Sequence, residues 1–258
     1  MKHIKKRFMI QTSSEDFDFS CNNTEFIELK DGITEDALSK RRGTMAYVKT
    51  EDDIVYAGFI HNVKGKDYIF PVPDLTLIYF NNAQLSITSI NDYKNKLIEK
   101  VDFRVKLSEP ALNEIYNYYG VTSGFVIFLF TAIESFVNSL IPDDFEYRKE
   151  MKHKTEIYKK DQIQESIDFK TKLTSVLPQV TGKNFFQNFT PTNEKIWKLK
   201  EFRDDIIHTK PEQNQLKYDE LIKTSLRFKY EETLEAVAKF MNHYKSNYII
   251  ECDCGNDF

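Results

Sequence analysis

Thr122-Ser-Gly-Phe-Val-Ile-Phe-Leu-Phe-Thr-Ala-Ile-Glu-Ser-Phe-Val-Asn-Ser-Leu140 is apolar on most faces of an ideal helix. A helix of this kind belongs at the centre of a bundle, where every side is covered. Pro142 ends it, because proline has no amide hydrogen to continue the ladder. Its most apolar part, Phe125–Ile133, runs into Glu134, Ser135 and Asn138, so the segment reads as too short and too polar to span a membrane. Glu134 and Asn138 are four residues apart and share one face. Polar groups on a core helix need partners, so the pair marks either a cleft or the wet edge of the helix.

Downstream, the helical period continues. Asp168–Val180 carries Phe169, Leu173, Val176 and Leu177 at helical spacing, and Gly182 stops it. Asn193–Ile207 is the next helix, followed by a polar loop, Thr209–Gln215. Tyr218–Lys245 reads as one long final helix with the stripe Ile222, Leu226, Tyr230, Leu234, Val237, Met241 and Tyr244. Phe145–Ser166 is charged and weakly periodic, which suggests a loop or an exposed helix. Upstream, Glu109–Tyr119 begins with Ser108 and Pro110, suited to an N-cap and a first turn. Asp92–Val101 is a shorter candidate.

Before Asn91 the pattern becomes β-like. Met45–Thr50, Ile54–His61 and Asp67–Val72 are rich in Val, Ile, Tyr and Phe, with turns at Asp52-Asp53 and Lys64-Gly-Lys66. Leu75–Phe80 and Leu85–Ile90 flank Asn81-Asn82 and look like another hairpin. Thr34–Gly43 is a short helix with Thr34 as its N-cap. The expected fold class is α+β. A small β-rich N-terminal domain spans 1–104, an α-helical up-down bundle spans 105–250, and a flexible tail covers 251–258.

The 258 residues carry 36 Lys and Arg against 40 Asp and Glu, but unevenly. Residues 147–230 hold 18 basic and 12 acidic side chains, and the remainder 18 and 28. A basic stretch on an acidic protein favours a polyanion locally, although an ordinary solvated helical surface has similar numbers. Cys21, Cys252 and Cys254 lack zinc-type spacing and read as free thiols, so neither a metal nor a cofactor is expected. The basic N-terminus is not followed by an apolar run, which argues against a secretory signal and for a cytoplasmic protein without a membrane anchor.

Chemistry concentrates in Glu201-Phe-Arg-Asp-Asp-Ile-Ile-His-Thr-Lys210. Arg203 can neutralise a phosphate, and His208 can move a proton near neutral pH. Asp204 precedes His208 by four residues, so on a helix its carboxylate could fix the imidazole tautomer. Arg203 and His208 themselves stand about 140° apart on an ideal helix and would flank a cleft rather than stack. Roughly 0.14 Arg-x4-His pairs are expected by chance at this composition, and the chain has two. The other, Arg148-Lys-Glu-Met-Lys-His153, lies in a polar run and reads as solvated surface. The Arg203 copy is framed by Ile196, Leu199, Phe202, Ile206 and Ile207. The plain alternative is a surface Arg and a helix-end His stabilised by the local dipole.

Three features together resemble the HEPN domain, an α-helical bundle of many toxin and phage-defence ribonucleases. Arg203-Asp-Asp-Ile-Ile-His208 fits that family's Arg-x4–6-His motif, the motif closes the helix before the last one, and Phe130-Thr-Ala-Ile-Glu-Ser-Phe-Val-Asn138 looks like its first core helix. The resemblance covers roughly 108–246. Asp204 departs from the Asn that many members carry, and Lys210 stands where one toxin subset has Tyr.

The resemblance implies a metal-independent endoribonuclease working as a homodimer, with motifs from two chains facing one cleft. It implies Arg203 and His208 as catalytic residues, Asp204 as the group orienting His208, and Glu134, Asn138, Lys200 and Lys210 as cleft or RNA-binding residues. The partners implied are RNA, a second copy, and an antitoxin or regulatory protein. Two other readings compete. One is a non-catalytic HEPN-like scaffold for dimerisation or for binding nucleotide or RNA. The other is a small-molecule enzyme in the β-rich part, for which no Gly-rich phosphate loop, His-Cys cluster or nucleophile elbow is present.

Overall fold

The computed structural model describes residues 4–5, 11–13, 33–49, 54–101, 109–208 and 216–252. The chain forms two compact units, one of Lys6–Leu75 and one of Met1–Lys5 with Thr76–Phe258. The fold is α+β, a small antiparallel sheet followed by a helical bundle.

The first unit holds β1 (Gln11–Ser13), α1 (Glu35–Ser39), β2 (Met45–Lys49), β3 (Ile54–Val63) and β4 (Lys66–Pro71). β3 is the spine: β2 lines one edge, and β1 and β4 share the other, all antiparallel. Thr34 caps α1 as the sequence suggests, its hydroxyl accepting from the Ala37 amide at 3.3 Å. The β3–β4 turn needs two residues at positive φ, and Lys64 and Gly65 supply 52° and 87°. The expected turn at Asp52-Asp53 lies outside the described residues.

The second unit begins with α2, Leu75–Val101. This corrects the expected hairpin at 75–90. Leu77, Phe80, Ala83, Gln84, Ile87 and Ile90 are buried at steps of three and four, a helical stripe that short β-like runs concealed. The unit boundary therefore falls at Thr76, whereas the sequence reading puts it at 104. The two expected helices at 109–119 and 122–140 are one, α3 (Glu109–Ser139), which continues through Gly120 and Gly124. Over Asn113–Ser139 it is long and apolar enough to cross a membrane by length and composition, contrary to the sequence reading, and half of that apolar window is buried in the protein.

Phe145–Ser166 is neither loop nor helix throughout. It forms a hairpin, β5 (Glu146–Glu150) with β6 (Thr155–Lys159), and then α4 (Lys160–Ser166). Tyr147, Ile163 and Ile167 bury against Ile141 and Val176, which fastens this segment to the end of α3. A helical run follows as α5 (Phe169–Thr171), a π-helical turn (Lys172–Val176) and α6 (Leu177–Thr181), closed by Gly182 at φ 68°. α7 is Pro191–Ile207. The single final helix that the sequence suggests is two, α8 (Leu216–Arg227) and α9 (Tyr230–Tyr244). The far end of the chain is pinned where Ile4 bridges Glu251 and the Lys5 amide donates to the Ile250 carbonyl at 2.7 Å. The rest of the expected tail, 253–258, lies outside the described residues.

The α8–α9 break is held by two phenols. Tyr118 and Tyr230 both donate to the Ser225 carbonyl, at 2.8 and 2.7 Å. Burial raises both phenol pKa values. The unfolded chain releases these protons near pH ~10, while the folded chain still holds them. Above that pH the unfolded state binds fewer protons, so the stability is intact below about pH 10 and is lost as pH rises beyond it. Thermal melts are expected to fall by up to about 1.4 kcal/mol per pH unit per phenol in that range. Tyr230→Phe should flatten the slope, and an unchanged slope would exclude this origin.

Candidate functional site

α7 carries the motif and is fixed at both ends. Thr190 accepts from the Asn193 amide at 3.2 Å, and Pro191 fills the first turn. Buried Asn193 donates to the carbonyls of Phe185 and Asn188 at 3.2 and 2.7 Å, locking the loop before the helix. Ile196, Leu199 and Phe202 form the buried stripe. At the other end the His208 amide donates to the Asp204 carbonyl at 2.9 Å, and His208 is the C-cap at φ −102°, ψ 28°.

Arg203 lies at the edge of that stripe, next to α3. Its guanidinium carbon sits 4.8 Å from the centre of the Phe130 ring. Phe130 packs on Phe169 at 4.7 Å, and Phe169 on Trp197 at 6.2 Å, so the cation crowns an aromatic stack. An arginine on a ring is worth about 0.5–2 kcal/mol and is held in one place. Its side chain nevertheless keeps 27% exposure, enough to meet a ligand.

The Asp204 carboxylate takes Lys200 at 2.5 Å and Arg203 at 3.1 Å. Burial opposes its ionisation, but these two cations outweigh it and hold the carboxyl pKa below the usual range. The structure thus brings Lys200, Asp204 and Arg203 together as two cations around one anion. Lys200 thus offsets the negative charge that Asp204 places beside Arg203. The carboxylate engages the cations, and the Asp204 group that reaches His208 is its main-chain carbonyl. The His208 ring is exposed.

Glu134 and Asn138 belong to a neighbouring cluster. They lie one and two turns past Phe130, about 6 and 12 Å further along α3. Their partner is Lys172, at the start of the π-helical turn and only 7% exposed. Its ammonium donates to the Gln164 carbonyl at 2.6 Å and to Asn138 Oδ1 at 3.4 Å. Burial lowers its pKa, and Glu134 and Asp168 pull it back up. The two clusters share α3 but not a hydrogen bond among those described. Sequence reading missed Lys172, although a Lys beside Val176 on the apolar stripe of Phe169, Leu173 and Leu177 was a visible signal.

Lys210 lies outside the described residues, as do Cys21 and Cys254. The second Arg-x4-His pair straddles a hairpin: Arg148 is on β5, His153 is in its turn, and both are exposed. A cleft of about 580 Å³ opens between α2 and the α8–α9 junction, lined by Ile87, Lys94, Phe228 and Tyr230 among others; neither Arg203 nor His208 lines it. Among the described residues no group of three or more His, Cys, Asp or Glu could hold a metal. No protein-family model, curated protein or solved structure matches the chain.

Proposed function

We propose that the protein is a metal-independent endoribonuclease of the toxin or phage-defence kind, acting in the cytoplasm as a homodimer of HEPN-like bundles. One observation carries the reading: a half-exposed Arg203, immobilised on Phe130 and flanked by Lys200, lies one and a half turns from an exposed histidine that ends the same helix. The cations suit a phosphate, and the imidazole suits a proton. His208 takes the proton of a ribose 2′-hydroxyl, whose oxygen attacks the adjacent phosphorus. Arg203 stabilises the charge that builds on the phosphate oxygens. The 5′-oxygen leaves with a proton from the imidazolium, giving a 2′,3′-cyclic phosphate and a 5′-hydroxyl end.

Arg203 faces α3 while His208 ends α7 in solvent, so a pair drawn from two chains fits the reaction better than a pair within one. Lys200 is the RNA contact nearest the reaction. Glu134 and Asn138 act at most through Lys172. An antitoxin or regulatory protein would restrain the activity by covering α7.

A second reading, a non-catalytic RNA- or partner-binding scaffold, draws on the engagement of Arg203 with Phe130 and Asp204, which is also what a structural arginine would do. Total RNA and single-stranded DNA incubated in EDTA with wild type and His208→Ala distinguish the two. RNA-only cleavage lost in the variant is expected. No turnover by the wild type, with RNA still bound, would favour the scaffold.

A further inference from the structure

α3 is the core helix, yet one side of it is open. Residues 115–133 carry no charge, and at 1.5 Å per residue they run for about 28 Å. Half of the apolar window in this helix is buried. The rest shows as a stripe at helical spacing, Tyr116, Gly120, Gly124, Ile127 and Phe128, none of them buried. Tyr116 keeps 73% exposure, Ile127 40% and Phe128 37%. An open helix face ordinarily carries charge, as α9 does with Glu231, Glu232, Glu235 and Lys239. Hydroxyls further along the stripe are engaged within the chain. Thr131 donates to the Ile127 carbonyl at 2.8 Å, and Ser135 accepts from Thr76 at 2.8 Å.

Tyr116, Gly120, Gly124 and Phe128 form one row at steps of four, with a ring at each end and a hollow between. Neither glycine has a positive φ. Among the described residues, a methyl group at either would meet no atom within 4 Å beyond its chain neighbours and its own helix backbone. So neither a turn nor a packed neighbour requires glycine here, and glycine inside a helix is destabilising relative to alanine. What the pair permits is the close approach of a second helix backbone.

We infer that this stripe is the homodimer face, where α3 crosses its own copy at Gly120 and Gly124. A two-fold interface sets one patch against itself, so the patch must hold knob and hollow together. The row from Tyr116 to Phe128 does so. Packed helix axes stand about 8–10 Å apart, so the layer of α2, α3 and α7 offers roughly the 800 Å² per partner that stable dimers bury. Lipid is the poorer occupant, because Lys200, Arg203 and Asp204 border the stripe as ionised, part-exposed groups. Arg203 rests on Phe130, three residues from Ile127, and Ile207 follows it by one turn at 43% exposure. A copy seated on the stripe therefore lies beside Arg203. The inference deepens the homodimer reading and rests on it for the pairing of Arg203 with the partner's motif. The face itself is argued from α3.

The test is sedimentation of the full chain over a dilution series. The wild type should dimerise. Gly120→Ala and Gly124→Ala should each raise the dimer dissociation constant by about 5- to 150-fold, the range for overpacking a close contact. Ile127→Glu, which sets like charges against each other, should leave monomer alone. The alanine variants diluted to monomer should melt no lower than the wild type, since alanine is the better helix former and both positions are open. Unchanged fluorescence of Trp197, the single tryptophan, would show that the bundle is intact.

A wild type that stays monomeric would overturn the inference. So would a dimer indifferent to all three substitutions, which must use another face. Flotation of the wild type on phosphatidylcholine vesicles, lost in Ile127→Glu, would make lipid the occupant and overturn it too. A glycine-sensitive dimer without RNA cleavage would sink the ribonuclease and spare this face. His208-dependent cleavage by a monomer, or by a glycine-indifferent dimer, would do the reverse.

Discussion

His208→Ala is expected to slow RNA cleavage by about 10²–10⁴-fold, the range that a positioned general acid–base group contributes. The substitution should leave the fold untouched, because the ring is exposed and the contact that closes α7 comes from its main-chain amide. Arg203→Ala is expected to cost about 10²–10³-fold, as for loss of one group that stabilises a developing oxyanion. The double variant should be little worse than the poorer single one, because residues acting in one step are not additive. Mixing the two inactive variants probes the dimer. A site built from Arg203 of one chain and His208 of the other is intact once in each mixed dimer. Random exchange would then restore about a quarter of wild-type activity, since half the dimers are mixed and each has one working site of two. Cleavage that persists in His208→Ala would end the ribonuclease reading, and no recovery on mixing would place the pair within one chain.

The sequence was most legible where one periodicity ran uninterrupted. The β2–β3–β4 meander was found because Val, Ile, Tyr and Phe alternate and a Lys-Gly pair supplies a turn with both residues at positive φ. The core helix was found because Phe125–Ile133 is apolar all round, but its full length was not. Gly120 lies inside α3, which the packing of the bundle sustains on either side of it. α2 was misread because Leu75–Phe80 and Leu85–Ile90 are short apolar runs flanking Asn-Asn. Such runs suit a strand or a helix until longer-range burial decides. The final helix was overextended because its stripe runs from Leu226 to Tyr230 in phase, straight across the break. What breaks it is the Ser225 carbonyl, taken by two tyrosines, one of them 107 residues away in sequence.

The site followed the same division. The Arg203 and His208 positions on α7, and the difference in setting from Arg148 and His153, could be read locally. The choice of partners could not. Asp204 has a cation at i−4 and another at i−1, and it satisfies both with its carboxylate while its carbonyl closes the helix on His208. Glu134 and Asn138 were rightly seen to need partners. The group that answers them, Lys172, comes from a π-helical turn more than 30 residues away, and no local pattern announces such a turn.

Phe130→Ala is expected to produce the largest loss of stability among single changes at the site. The ring is 2% exposed, lies against Phe169 and also carries the Arg203 guanidinium. Truncating a buried Phe costs about 3–5 kcal/mol through lost transfer free energy and the cavity that remains. Losing the cation's seat adds about 0.5–2 kcal/mol. The loss is read by urea unfolding followed through Trp197, which joins the same stack through Phe169. A cost below ~1.5 kcal/mol would mean that the stack collapses around the gap. Phe130→Leu separates stability from placement. It keeps most of the volume and should cost at most about 1.5 kcal/mol, yet it removes the π-face that holds the guanidinium. If Arg203 acts from that seat, cleavage by Phe130→Leu should fall by at least about 10-fold, since one cation–π contact of ~1.4 kcal/mol corresponds to that factor. Wild-type cleavage in a folded Phe130→Leu protein would show that Arg203 finds its phosphate without the ring.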